Sequence, residues 1–141
     1  MTLLHDAYTA WLSGITTKTG NEIHWQDEKG YPITIEPVDV SKGKYIVRHY
    51  YSNGNKYLEE EYQNEKLHGK CFGWYISRNK SWEQEYQNGQ PHGKSIDWYE
   101  SGNKYREDEY QNGRLYGKSI GWDDGGNKLW ESEYRNGIKI K

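Results

Sequence analysis

The sequence predicts an all-β fold. It is an elongated single-layer antiparallel meander of 24-residue β-hairpin repeats with a short N-terminal capping helix. Repetition at a fixed step is the first observation behind this. EYQN begins at Glu61, Glu85 and Glu109, and EYRN begins at Glu133. Tyr62, Tyr86, Tyr110 and Tyr134 share one phase, Trp74, Trp98 and Trp122 a second, and Gly69, Gly93 and Gly117 a third. A constant period of this length marks a repeat array. Alternation is the second observation. In KYREDEY (104 to 110) and KSIGWDD (118 to 124), aromatic or aliphatic residues alternate with polar ones, and turn residues separate the runs. That is a strand signature. Composition is the third. Only 33% of the 141 residues are hydrophobic, yet 16% are aromatic, as 14 Tyr, 7 Trp and 1 Phe. Disordered chains are poor in aromatics.

Residues 1 to 17 form the first region. Leu4, Tyr8 and Trp11 fall at i, i+4, i+7, and Leu3, Ala7 and Leu12 widen the stripe. With Thr2 as N-cap and Gly14 as stop, residues 2 to 13 are expected to form an amphipathic helix. It is read as a cap on the first hairpins, because the terminal units of a repeat array need closing. A partner-docking or membrane-surface helix is the other reading, and its lack of lysine and arginine argues against an anionic membrane.

Residues 18 to 53 are read as a degenerate leading repeat. GKYIVRHYYSNGN from Gly43 resembles GKSIDWYESGN from Gly93, with two residues more before the turn. Residues 54 to 141 then hold four hairpin repeats, the last truncated. Gly102-Asn103 is expected to be a two-residue hairpin turn, and Asn112 through Gly117 a longer glycine-bounded loop. About ten strands are expected beyond residue 20, with Ile138 to Lys141 as a final edge strand. Lys139 and Lys141 would discourage edge-to-edge pairing there.

Two rows of glutamate, 59/83/107/131 and 61/85/109/133, share one face by period two. Their repulsion calls for cations between them, and Lys70, Lys94 and Lys118 are the candidates. In the expected register Tyr62, Tyr86 and Tyr110 sit opposite Gly69, Gly93 and Gly117, and Glu61 sits opposite Lys70. A tyrosine ring would then cover each glycine.

YQNG-x-x-x-GK-x-x-x-WY-x-x-GNK, from Tyr86 to Lys104, resembles the MORN-repeat variant family, bacterial and viral. The likeness extends over about 60% of the chain. Glu65 departs from it where the pattern has glycine, and so does Arg78. The resemblance implies consecutive hairpins and no catalytic residues. Some bacterial members are toxin–antitoxin-associated antitoxins, and others are assigned roles in scaffolding or membrane contact.

The remaining chemistry is sparse. Net charge is -2, which gives no electrostatic footprint for nucleic acid. No apolar run reaches the ~20 residues of a membrane helix. The N-terminus lacks the basic region of a secretory signal, so a cytoplasmic location is expected. One cysteine, Cys71, excludes a disulfide framework. Histidines 5, 24, 49, 68 and 92 show no metal spacing, and His68 and His92 are read as surface loop residues. No cofactor is expected. The glutamates recur in every unit, whereas catalysis needs one asymmetric constellation, so no enzymatic activity is expected.

A specific partner must be read by positions that differ between otherwise equal units. The clearest slot holds Leu58, Trp82, Arg106 and Trp130. Trp and Arg are the types most enriched at binding hot spots. The expected protein-binding surface is therefore Trp82, Arg106 and Trp130, with Tyr105 and Tyr99 at its edge, opposite the glutamate rows. The expected function is a protein-interaction module, an antitoxin, immunity-type neutraliser or adaptor. The alternative is a glycan- or cell-wall-binding aromatic repeat.

Overall fold

A computed structural model describes Asp6, Thr17–Thr19 and residues 22–141. Among these residues thirteen strands form one antiparallel sheet. They are β1 (Thr17–Thr19), β2 (Glu22–Gln26), β3 (Pro32–Asp39), β4 (Lys44–Tyr50), β5 (Lys56–Gln63), β6 (Lys66–Leu67), β7 (Gly69–Trp74), β8 (Lys80–Gln87), β9 (Gln90–Trp98), β10 (Lys104–Gln111), β11 (Arg114–Trp122), β12 (Lys128–Arg135) and β13 (Ile138–Lys139). Each strand pairs with its sequence neighbours, except that β6 and β7 both pair with β5. The sheet is an open meander, as the 24-residue period and its half-period turns predict. A single turn of 3-10 helix, Val40–Lys42, interrupts it. Of the segment expected to form the N-terminal helix, only Asp6 lies among the described residues.

The two turn types are the reverse of the expected assignment. Asn112 (φ 50°) and Gly113 (φ 83°) form a two-residue turn closed by Gln111 opposite Arg114. Both central residues are left-handed, as a type I′ turn requires. The strand resumes at Arg114, so no longer loop exists there. Gly117 (φ 86°) instead marks a bulge in β11. Asn64 and Glu65 make the same turn without glycine, with Glu65 at φ 67°. The Gly102-Asn103 connection is the wider one. Tyr99 N–H donates to the Asn103 carbonyl at 2.8 Å, and Gly102 N–H to the Tyr99 carbonyl at 2.9 Å. That is a three-residue loop ending in one left-handed residue. The same two bonds recur at Asp27/Tyr31, Tyr51/Asn55, Tyr75/Asn79 and Asp123/Asn127. Arg78 takes the left-handed place at φ 78°.

The bulge also moves the register. Within the hairpin Tyr62 lies opposite Leu67, and Tyr110 opposite Leu115. Gly69, Gly93 and Gly117 lie opposite Tyr86, Tyr110 and Tyr134, across the neighbouring strand pairs. Lys70 therefore faces Glu85 rather than Glu61, and its ammonium lies 3.5 Å from Glu83. The expected tyrosine-over-glycine cover is also replaced. The side chains that a Cβ at Gly69, Gly93 or Gly117 would meet are Glu61, Glu85 and Glu109.

The two faces differ in kind. One carries the ion ladder: Lys56–Glu59, Lys80–Glu83 and Lys104–Glu107 at 3.4, 3.5 and 2.7 Å, with Lys94 adding a second cation to Glu107 at 3.6 Å. The same lysines lie over indoles, Lys56 on Trp74 at 4.8 Å and Lys104 on Trp122 at 5.8 Å. At the leading end Arg48 joins Glu22, Glu36 and Glu59. The other face holds the apolar core, Ile23, Ile33, Ile35, Tyr45 and Val47, with Trp25 and Tyr62 against it. Asp6 borders that face in a recess of about 560 Å³ shared with Trp25, Val47, His49 and Tyr62.

Both long margins of the sheet are stitched from unit to unit. Tyr51, Tyr75 and Tyr99 donate their hydroxyls to the carbonyls of Trp74, Trp98 and Trp122 at 2.7, 2.6 and 2.8 Å. On the opposite margin the Gly89, Gly113 and Gly137 N–H groups donate to Leu67, Pro91 and Leu115. There too the two histidines have a structural task, and His92 lies within β9 rather than in the expected surface loop. Nδ1 of His68 and of His92 accepts from Asn88 N–H and Asn112 N–H, at 3.2 and 3.3 Å.

Tyr75→Phe removes one hydroxyl and leaves the ring. The expected loss is about 0.5–1.5 kcal/mol. Tyr51→Phe and Tyr99→Phe are expected to cost the same, and to add within about 0.5 kcal/mol because the sites share no partner. Urea melts of the single and combined variants check this.

Candidate functional site

One register row crosses the sheet on the face opposite the ion ladder. Its members are Trp25, Ile33, His49, Leu58, Gly73, Trp82, Asp97, Arg106, Gly121 and Trp130, each opposite the next. The structure thus brings Trp82, Arg106 and Trp130 into one line. A second row, two residues along, is small and polar: Cys71, Gln84, Ser95, Asp108, Ser119 and Ser132. Four of these are buried, with Asp108 3% and Ser119 1% exposed. Small floor residues let the larger neighbours close over them.

The row has an internal order. A Cβ at Gly73 would strike the indole of Trp82, and one at Gly121 that of Trp130. Each indole therefore lies along the sheet over a glycine. Arg106 Nε donates to Asp108 Oδ2 at 2.6 Å, and its guanidinium lies 5.4 Å from the centre of the Trp130 ring. Asp108 also accepts from the Ser119 hydroxyl. Trp130 remains 40% exposed. Tyr105 sits at the register shift between Lys104 and Arg106, and its ring meets Tyr99 edge-on at 5.2 Å. Tyr99 is committed to the margin through its hydroxyl bond to Trp122.

Sequence reasoning missed Asp97 and Asp108. The signal was present: Asp97 stands where Gly73 and Gly121 stand in neighbouring units, and Asp108 where Glu60, Gln84 and Ser132 stand. Burial and the nearby Asp108 carboxylate hold Asp97 above the usual carboxylate range, with Arg106 opposing. Cys71 is buried, and desolvation pushes its thiol up to about 11. That suppresses the thiolate, the reactive form.

A second recess, of about 760 Å³, lies at the leading end among Trp25, Tyr31, Tyr50, Tyr51 and Tyr57. Among the described residues no group of three His, Cys, Asp or Glu is placed to hold a metal ion. No described helix is long and apolar enough to cross a membrane.

No family profile matches the chain, and no curated protein does. Solved structures do resemble it, and two of them illustrate the likeness. One is a mutant TarM of S. aureus in complex with Fondaparinux, alpha-GlcNAc-glycerol and UDP, at TM-score 0.50 and 12% identity over 81% of this chain. The other is TarM itself, at 0.48 and 14% over 79%. The chain spans only 23% and 24% of those proteins. At such identities the first likeness is one of fold alone.

Two outcomes follow from this geometry. Arg106→Ala is expected to destabilise by about 1–3 kcal/mol, because the buried Asp108 loses its cation. Adding Asp108→Ser, the residue at position 132, is expected to recover most of that loss in the same melts. Cys71 is expected to resist Ellman's reagent at pH 7.5 in the folded protein and to react at once in guanidinium. Fast reaction of the native thiol contradicts the burial described.

Proposed function

We propose that the chain is a non-enzymatic protein-interaction module built from MORN-like repeats. It acts as an antitoxin or immunity-type neutraliser, or as an adaptor, in the cytoplasm. The observation that supports this best is the alignment of Trp82, Arg106 and Trp130 in one open row. These positions differ between units whose other residues repeat, so the scaffold alone does not require them. Their types suit a binding hot spot, and their geometry is fixed before any partner arrives: two indoles over glycines, one guanidinium over an indole. Preorganisation lowers the ordering cost of association. The glutamate face offers less, because Glu59, Glu83, Glu107 and Glu131 already pair with lysines of their own strands.

A glycan-binding module is the second reading. It draws on the same two indoles, which lie along the sheet as flat platforms suited to stacking sugar rings. Trp82→Ala combined with Trp130→Ala separates the two, since neither residue carries the Asp108 contact. The double variant is expected to keep the parent's circular dichroism spectrum. It is expected to lose at least about tenfold in affinity for a protein captured from the native host by the parent. Retention of the parent on a glycan array, with no protein captured, favours the carbohydrate reading.

A further inference from the structure

Asp97 is a carboxylate in a row that otherwise carries glycine at its level. In the neighbouring units Gly73 and Gly121 lie beneath an indole. Asp97 lies between Trp82 on β8 and Arg106 on β10. Both neighbours lean away from it. The Trp82 indole is drawn over Gly73, towards β7. The Arg106 guanidinium is drawn along its own strand to Asp108 and lies against the Trp130 ring, which itself covers Gly121 on β11. What remains is a slot two strand spacings wide, about 9–10 Å. The Trp82 strand position bounds it on one side and that of Arg106 on the other, with the Asp97 carboxylate between them.

The charges on this face are unequal. Glu60 lies 3.1 Å from His49, and Asp108 holds Arg106 and Ser119. Among the described residues Asp97 has neither an ion pair nor a side-chain hydrogen bond. Every Lys–Glu pair of the units lies on the opposite face. Arg106 acts on Asp97 only through space, because its own ion pair is with Asp108. A half-buried carboxylate with no direct ion pair weakens the free protein, and folds keep such groups where a ligand uses them.

We infer that the slot at Asp97 receives a lysine or arginine side chain of a protein partner, its charged head on the Asp97 carboxylate and its stem against Trp82. This rests on the protein-interaction reading above and names the chemistry of that partner. An aliphatic stem on an indole, ending in a cation beside a carboxylate, satisfies all three walls at once.

The test uses the full chain and short synthetic peptides. Each peptide carries one central lysine or arginine in an uncharged, aromatic-rich background, and its match carries norleucine or glutamine at the centre. Binding is followed through the Trp82 indole N–H signal. The cationic peptides are expected to bind about tenfold or more tightly than their matches. Asp97→Asn is expected to erase that difference. It is also expected to raise the melting temperature at pH 7, for a reason of sign. The folded protein holds the Asp97 proton more tightly than the unfolded chain does. Stability from this group is complete below its unfolded value and falls as pH rises through the folded one. At pH 7 the ionised form costs stability that asparagine restores. A residue with only a structural role would lower the melting temperature instead.

Equal binding of cationic and neutral peptides, or no change on Asp97→Asn, overturns the slot. The interaction reading stands in that case if Trp82→Ala with Trp130→Ala still abolishes peptide binding. If the parent binds no peptide and is retained on a glycan array, both fall.

Discussion

The indoles of Trp82 and Trp130 lie where a Cβ at Gly73 and Gly121 would otherwise be. Among the described residues the sheet has no second layer, so its floor must be covered from its own edges. That requires alternation of large and small side chains across strands rather than along them. Glycine, serine and cysteine on the second strand of each hairpin make room for tryptophan, tyrosine and glutamate from the first. Asp108 and Ser119 are buried without an opposing layer for this reason. The bulge at Gly69, Gly93 and Gly117 serves the same end, setting each glycine under a glutamate and opposite the tyrosine of the next unit.

The leading end solves the problem differently. There the row next to the floor is Ile23, Ile35 and Val47, a conventional apolar core. Along the same face it gives way to Gln84, Asp108 and Ser119. One end of the face excludes water by aliphatic contact, and the other satisfies its polar groups internally.

Much of the architecture was legible in the residues. The 24-residue step, the half-period turns and the separation of the glutamate rows from the Leu58–Trp82–Arg106–Trp130 row all follow from period two and a fixed repeat. The turn types were not legible, because Asn-Gly and Gly-Asn both signal positive φ and neither states how many residues the loop holds. The register was missed for a related reason. A bulge adds residues to one strand only, and a glycine that permits it reads the same as a glycine that ends a loop. Asp97 and Asp108 were hidden by attention to large side chains. Their importance comes from where their neighbours lean, and alternation does not encode that. The turn-to-turn bonds of Tyr75 or His92 are likewise products of stacking and have no local signature.

The stitching along the two margins bears on how such a chain changes over generations. On one margin Tyr51, Tyr75 and Tyr99 meet acceptors in the next unit at a constant offset, and on the other Gly89, Gly113 and Gly137 meet acceptors in the preceding one. In-frame loss or gain of one whole unit by recombination between similar coding segments leaves each margin bond with an equivalent partner. What it alters is which of Leu58, Trp82, Arg106 and Trp130 stand beside one another, and whether an aspartate lies between them. Length and the make-up of that row thus vary together in discrete steps, while the scaffold is inherited intact.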